Sequence, residues 1–270
     1  MVLTAIQRDV CRLLAAARRR RGESYVAGGA ALGEALRTAR VSRDVDVFHD
    51  SAEAVAVSWD ADRRLLEAAS YRVDPVRERP GFVEAIVSRA DARLAMEWTR
   101  DSAFRFFPLV EDEVFGLVLH PFDIATNKVL ALVGRAEARD WVDVLACHEH
   151  LQPLGYLAWA ACGKDPGFTP QGILGEAARA SRYTDAELSS LAFEGDVPSA
   201  ADLSRRWHAA LGDARAVIAA LPPAHVGEAV ITADARLFTG SKDALVHALS
   251  AGTVAFHRGA IGGAWPRPKS

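Results

Sequence analysis

The feature that most constrains the fold is a change in hydrophobic period near the middle of the chain. Between Tyr71 and Leu119, short stretches with strand-like alternation are broken by turn-forming residues: Pro75, Pro80, Gly81 and Pro108. From Phe122 onward, apolar residues recur every three or four positions, which is typical of amphipathic helices. The sequence therefore predicts an α+β front half followed by a helical region.

Finer patterns predict individual elements. In the front half, we expect helices over 4–21, 30–39 and 60–69, and strands over 24–27, 44–48 and 93–98. Pro222-Pro223 marks a boundary, after which a strand, a helix and a strand predict a small α/β C-terminal cap. We expect three regions, at residues 1–120, 121–222 and 223–270.

Composition excludes several classes of protein. The chain has 270 residues, of which 50% are hydrophobic and 25% charged, and these values are typical of a globular domain. Its net charge of −3 does not favour polyanion binding by the whole surface. The 3 cysteines lack metal-ligand spacing, and no apolar run is long enough to span a membrane. We expect a cytoplasmic protein without a secretion signal or membrane partner.

Two glycines stand where a strand passes into a helix. Gly28 and Gly29 would let the backbone approach a phosphate, and the helix that follows offers unpaired N–H groups to an anion. A tight strand-to-helix turn with no ligand would need the same residues. The pair alone does not distinguish these alternatives.

Two aspartates alternate with valines in the next strand. The period of two places Asp44 and Asp46 on one face, where two negative charges repel unless a cation lies between them. Carboxylate oxygens suit Mg²⁺, which commonly shares its ligands with substrate phosphates. The alternative is a solvated strand edge with Arg43 as the ionic partner.

A third carboxylate lies on the polar face of the strand over 93–98. Glu97 could serve as a further metal ligand or as the general base for an attacking hydroxyl. Alternatively, Glu97 pairs with Arg93 on the same face.

A later segment combines two basic and two acidic residues. Lys128 and Arg135 share a helical face if the helix extends that far, and Asp140 and Asp143 share another. Such a set can bind triphosphate oxygens and orient cations. It can equally be a set of salt bridges between helices.

The order of these motifs resembles the AbiEii-type nucleotidyltransferase toxin family, within the DNA polymerase β-like nucleotidyltransferase superfamily. The resemblance runs from Tyr25 to Leu145 and rests on GG-x-A-L, then R-D-V-D-V-F, then N-K-V-L-A-L-V-G-R-A-E-A-R-D-W-V-D. It implies a nucleotidyltransferase-like mixed sheet with flanking helices as the core, over residues 1–120.

The resemblance also implies roles for single residues. Gly28 and Gly29 match the glycine motif, and Asp44 and Asp46 match the metal-binding pair. The remaining matches are the lysine near the nucleotide phosphates, the acidic fourth motif and its basic residue: Lys128, Asp140 with Asp143, and Arg135. The sequence departs from the wider superfamily in two ways, because Gly29 replaces a common serine and Glu97 replaces a common third aspartate.

The implied activity is Mg²⁺-dependent transfer of a nucleotide from an NTP to an RNA, such as a tRNA 3′ end, or to a protein hydroxyl. The implied setting is a toxin–antitoxin or phage-defence pair with a cognate antitoxin. The run from Arg18 to Arg21 could contact RNA phosphates, or it could be a solvated helix end. Two alternatives keep the fold: a nucleotidyltransferase with a small-molecule acceptor such as an antibiotic, and an inactive nucleotide-binding or partner-binding module.

Overall fold

The computed structural model describes residues 3–179 and 183–266. The chain forms two compact units, one from Met1–Ala103 and Pro108–His120, the other from Phe104–Phe107 and Pro121–Ser270. The segment 104–107, which falls within the predicted first region 1–120, thus lies in the second unit. The further division at residue 222 stays a prediction.

The first unit combines three helices with most of the strands. The helices are α1 (Ala5–Arg21), α2 (Gly28–Leu36) and α3 (Ala52–Ala68). The strands before α3 are β1 (Tyr25–Ala27), β2 (Arg40–Val41) and β3 (Asp44–His49). After α3 the chain continues through β4 (Arg72–Arg79), β5 (Phe82–Arg89), β6 (Ala92–Arg100), β7 (Phe104–Arg105, in the second unit), β8 (Val110–Asp112) and β9 (Gly116–Val118).

The second unit is mainly helical. Its helices are α4 (Pro121–Arg135), α5 (Ala138–His150), α6 (Leu154–Ala161), α7 (Pro170–Arg179), α8 (Asp185–Ser189), α9 (Ala200–Ala220) and α10 (Lys242–Ser250). Its remaining strands are β10 (Ala192–Phe193), β11 (Ala229–Thr232), β12 (Val254–His257) and β13 (Ala260–Ile261). Every residue of α6 is buried, because α4, α5, α7 and α9 all pack around it. None of the described helices is long and apolar enough to cross a membrane.

A seven-stranded mixed sheet organises the first unit, in the order β4-β5-β6-β3-β1-β9-β8. Strand β3 pairs in parallel with β6 and antiparallel with β1. The predicted α+β fold with a mixed sheet and flanking helices is confirmed. This order places the strand with the two aspartates in the middle of the sheet, between β1 and β6.

One face of this sheet is a hydrophobic core. Val45 and Val47 of β3 and Trp98 of β6 are fully buried, and both α1 and α3 contact β6 on the unit's interior. The Trp98 indole donates to the Asp62 carboxylate of α3 at 3.1 Å. The alternate residues of β3 and β6 are half-buried on the opposite face, as the period of two requires.

Two features differ from the sequence prediction. Helix α3 begins at Ala52 rather than near residue 60, and the Ser51 hydroxyl caps it by accepting from the Ala54 N–H. Pro75 does not end a strand, because β4 continues through it with a register shift between Pro75 and Arg77. A proline is tolerated there since β4 is an edge strand, where one N–H needs no partner in the sheet.

Candidate active site

The first of the two glycines lies directly against an aspartate. β1 and β3 pair so that Ala27 faces Asp46, and Gly28 follows at the start of α2. Gly28 has a φ of +70°, and a Cβ on it would lie 1.9 Å from the Asp46 Oδ2 atom. Only glycine fits this position, which brings the strand-to-helix turn next to a carboxylate.

The three predicted carboxylates share one face of the sheet. Asp44 and Asp46 stand two apart on β3, and both are half-buried. Parallel pairing of β3 with β6 sets Asp46 directly beside Glu97. The sequence alone predicts that the two aspartates share one strand. The register of β3 with β6 shows that Glu97 lies beside them.

The surroundings of Asp44 were not identified from the sequence. Ser42 donates its hydroxyl to Asp44 Oδ1 at 2.6 Å, and the buried Gln7 side chain donates to the Ser42 carbonyl at 2.9 Å. The contact of Ser42 with Asp44 could have been predicted from its position, because residues two apart in an extended segment lie on the same face. No local pattern indicates Gln7, which is 35 residues from Ser42.

These residues fit a magnesium ion that is shared with a substrate. Mg²⁺ is usually held by one or two carboxylates together with substrate phosphates and water, and Asp44 and Asp46 supply such a pair. Among the residues that the structure describes, no three histidine, cysteine, aspartate or glutamate side chains converge as a ready-made metal site. The ligand role of Glu97 stays a prediction.

The predicted charged set of the second unit forms a buried ion-pair cluster between α4 and α5. Lys128 Nζ lies 3.2 Å from Asp140 Oδ1 and 2.8 Å from Asp143 Oδ2, and all three residues are buried. Arg135 adds a bidentate contact to Asp140, with distances of 2.6 and 2.9 Å. The predicted pairing of two basic with two acidic residues is therefore present as contacts between two helices.

Charge compensation in this cluster determines the protonation of Asp140. Burial raises the pKa of the Asp140 carboxyl, but hydrogen bonds from Arg135 and the charge of Lys128 outweigh it and hold the pKa below its ordinary value. Asp140 is consequently ionised at neutral pH. This cluster and the carboxylates of β3 and β6 belong to different units of the chain.

The arginine run at the end of α1 is only partly solvated. Arg18 is 1% exposed and donates to the Phe115 carbonyl, while Arg21 pairs with Asp62 at 2.6 Å. Arg19 and Arg20 are exposed. The run thus helps to fix α1 in its unit, and only its middle residues have the exposure that phosphate contacts require.

Comparison with solved structures finds proteins that are similar to this chain. MenT4, a nucleotidyltransferase toxin from Mycobacterium tuberculosis, is 15% identical, with 77% of this chain and 84% of that chain covered and a TM-score of 0.50. JHP933 from Helicobacter pylori is 15% identical, with 80% and 95% covered and a TM-score of 0.48. No protein-family model and no curated protein sequence matches the chain.

At this level of identity, a structural likeness establishes the fold alone. The resemblance inferred from the motif order is confirmed at that level, because the mixed sheet and its flanking helices occur in a nucleotidyltransferase toxin. The chain has a nucleotidyltransferase fold.

Proposed function

We propose that the chain is a Mg²⁺-dependent nucleotidyltransferase that transfers NMP from an NTP to a hydroxyl group. The observation that carries the proposal is the register of β3 with β6, which sets Asp46 beside Glu97, with Asp44 on the same strand and face. The shared fold with MenT4, a nucleotidyltransferase toxin, is consistent with this activity.

The mechanism follows from the charges at the carboxylates. Asp44 and Asp46 would hold Mg²⁺ against the NTP phosphates, and bound Mg²⁺ stabilises negative charge on the α-phosphoryl oxygens and the leaving pyrophosphate. Glu97 would accept the proton of the acceptor hydroxyl. The hydroxyl oxygen would then form a bond to the α-phosphorus as the bond to the leaving pyrophosphate breaks. Gly28 would let the backbone of the turn approach the phosphates, because the place of a side chain there is taken by the Asp46 carboxylate.

The predicted nucleotide-binding roles of the second unit belong to the same proposal. Lys128 and Arg135 would bind triphosphate oxygens, and Asp140 and Asp143 would help to orient the cations. In the structure of the unit itself, Lys128 already contacts two carboxylates. Substitution of Lys128 is therefore expected to change both stability and the KM for NTP, whereas substitution of the carboxylates of β3 should affect activity more than stability.

We propose an RNA end, such as a tRNA 3′ end, as the acceptor, within a toxin–antitoxin or phage-defence pair. Arg19 and Arg20 are exposed at the end of α1 and offer two cations for backbone phosphates. A protein hydroxyl or a small molecule would be labelled instead if the acceptor is of another class. A cognate antitoxin would be a partner of this chain, as expected for a toxin.

The experiment incubates the purified protein with each of the four NTPs, labelled at the α-phosphate, and with total RNA, total protein or a small-molecule extract. We expect Mg²⁺-dependent label in RNA. Asp46→Asn should lower the rate by at least about 100-fold, because electrostatic stabilisation usually supplies the largest share of catalysis at such sites. Asp60→Asn, an exposed aspartate of α3, is the matched control and should keep full activity.

The remaining outcomes separate the alternatives. Label in protein or in a small molecule would replace the RNA acceptor and keep the enzyme. The departures from the wider superfamily at Gly29 and Glu97 favour one second candidate, a nucleotide-binding module without turnover. Calorimetric NTP binding that is insensitive to Mg²⁺ and to Asp46→Asn, with no transfer, would support the module and contradict the enzyme.

A further inference from the structure

We propose that Ser42 and Gln7 are positioning residues that hold the Asp44 carboxylate in the orientation needed for metal binding. Two consecutive contacts connect helix α1 to this carboxylate. Gln7 Nε2 donates to the Ser42 carbonyl at 2.9 Å, and the Ser42 hydroxyl donates to Asp44 Oδ1 at 2.6 Å. The inference rests on the proposed function, because it assigns a role toward the ion that Asp44 would bind.

The two residues that hold Asp44 are themselves fixed. Gln7 is 1% exposed and Ser42 is 4% exposed. The Gln7 side-chain oxygen also accepts from the Thr4 backbone N–H at 2.8 Å, within the capping box of α1. The orientation of the Gln7 amide is therefore set by contacts on both of its ends, and it fixes the backbone at Ser42.

The second glycine of the strand-to-helix turn has a specific function in this arrangement. A Cβ on Gly29 would lie 2.7 Å from the Ser42 hydroxyl oxygen and 2.4 Å from a terminal nitrogen of Arg40. Any other residue would displace the serine that holds Asp44. Gly28 thus makes room for the Asp46 carboxylate, and Gly29 makes room for the side chain that orients Asp44.

The chemistry of Mg²⁺ makes such support important. The ion requires near-octahedral geometry at short distances, so a carboxylate that rotates freely binds it poorly. The hydrogen bond from Ser42 to Oδ1 restricts rotation of the Asp44 carboxylate. Loss of an outer hydrogen-bond partner of this kind typically weakens metal affinity by about 10- to 100-fold.

The test measures protein-bound Mn²⁺ by electron paramagnetic resonance in the presence of a non-hydrolysable NTP analogue, which needs no turnover and no known acceptor. We expect Ser42→Ala to weaken Mn²⁺ binding by about 10- to 100-fold. Ser42→Thr keeps the hydroxyl and should bind more tightly than Ser42→Ala. Ser58→Ala is the matched control, because Ser58 is a buried serine of the same unit whose hydroxyl has no hydrogen-bond partner among the described residues.

The outcomes separate this inference from the proposed function. If the wild type binds Mn²⁺ through Asp46, as shown by loss in Asp46→Asn, but Ser42→Ala binds equally well, then the positioning role is wrong and the function stands. If the wild type binds no Mn²⁺, both are wrong. If Mn²⁺ binding is weakened equally in Ser42→Ala and Ser58→Ala and the Tm is lowered in both, then general destabilisation explains the weaker binding. That result would overturn the inference.

Discussion

At the scale of single residues, Gly28 is restricted in two independent ways. Its φ of +70° lies in the left-handed region, and its Cα hydrogen points at the Asp46 carboxylate. Gly22 at the end of α1 has nearly the same φ, +68°, but a Cβ there would meet no atom within 4 Å. Comparing substitutions at the two glycines therefore separates the cost of a left-handed backbone from the cost of a steric clash.

We predict different outcomes for alanine at these two positions. Gly22→Ala should cost about 1–2 kcal/mol of unfolding free energy, which is the cost of the left-handed backbone alone. Gly28→Ala should cost about 1–3 kcal/mol more, because the new methyl displaces Asp46. Urea unfolding measures both variants, and equal destabilisation would contradict the contact between Gly28 and Asp46.

His49 ends the strand that carries the two aspartates, but its side chain points into the core. It is 0% exposed, and burial lowers its pKa from 6.5 to about 4. The histidine is therefore neutral in the folded state at neutral pH. Because the unfolded chain binds a proton more readily, the folded state loses stability as the pH falls from about 6.5 to about 4.

The size of this pH effect can be predicted. A difference of about 2.5 pKa units corresponds to about 3 kcal/mol, all of which is lost once the pH is below about 4. Urea unfolding of the wild type and of His49→Gln at several pH values between 7 and 4 isolates the contribution of this histidine. Parallel curves for the two proteins would show that His49 titrates normally.

At the scale of elements, the contact between α4 and α5 depends on a buried lysine. Lys128 has a side chain that is 9% exposed and lies between the carboxylates of Asp140 and Asp143. Arg135, which also contacts Asp140, has a side chain that is 44% exposed. Because water screens the Arg135 contact, the two cations should differ in their importance for stability.

We predict that Lys128→Met costs about 3–5 kcal/mol of unfolding free energy, since two buried carboxylates lose a cation. Arg135→Gln should cost about 1 kcal/mol or less, as expected for a half-exposed ion pair. Adding Asp143→Asn to Lys128→Met should restore part of the loss. Thermal unfolding without nucleotide tests this series, and similar Tm values for both single variants would contradict the buried ion-pair cluster.

Local patterns predicted most elements, and the differences have physical causes. The alternation of β3 was visible because one face is buried and the other is polar. The start of α3 was missed because residues 54–57 alternate alanine and valine, a β-branched pattern that also suits a strand. Pro75 was predicted to break a strand, and no local signal shows that β4 is an edge.

At the scale of the whole molecule, the chain leaves the first unit for four residues and then returns to it. The segment 104–107 is held in the second unit by the buried Asp123, which accepts from the N–H groups of Phe106 and Phe107 at 2.8 and 3.0 Å. Lys164 pairs with the same carboxylate at 2.9 Å. His257 lies 2.8 Å from the Phe106 carbonyl oxygen, and β13 pairs with β7.

We predict that Asp123→Ala releases this segment and increases proteolytic cleavage between residues 103 and 108. The loss should be about 3–5 kcal/mol, because Lys164 becomes a buried cation without its carboxylate. Asp112→Ala is the matched control, since Asp112 also accepts from two backbone N–H groups but within a local turn. Limited proteolysis with mass spectrometry measures the cleavage, and equal protection of wild type and Asp123→Ala would contradict the prediction.

Long-range contacts mark the limit of prediction from the sequence. The sequence indicated the aspartates of β3 and the glutamate of β6, but their pairing joins residues about fifty positions apart, and no motif encodes that register. The same holds for Arg18, whose carbonyl partner is 97 residues away. The shared face of carboxylates on one strand was therefore predictable, while their contacts with other elements required the fold.

The pairing of β3 with β6 also couples the alignment of the proposed catalytic carboxylates to the stability of the interior. Inserting one residue into β6 before Glu97 would exchange the two faces of that strand. Glu97 would turn inward, and Trp98 would lose both its burial and its bond to Asp62. The selection that preserves the core consequently also preserves the alignment of the carboxylates, because a register change in β6 would disrupt folding together with that alignment.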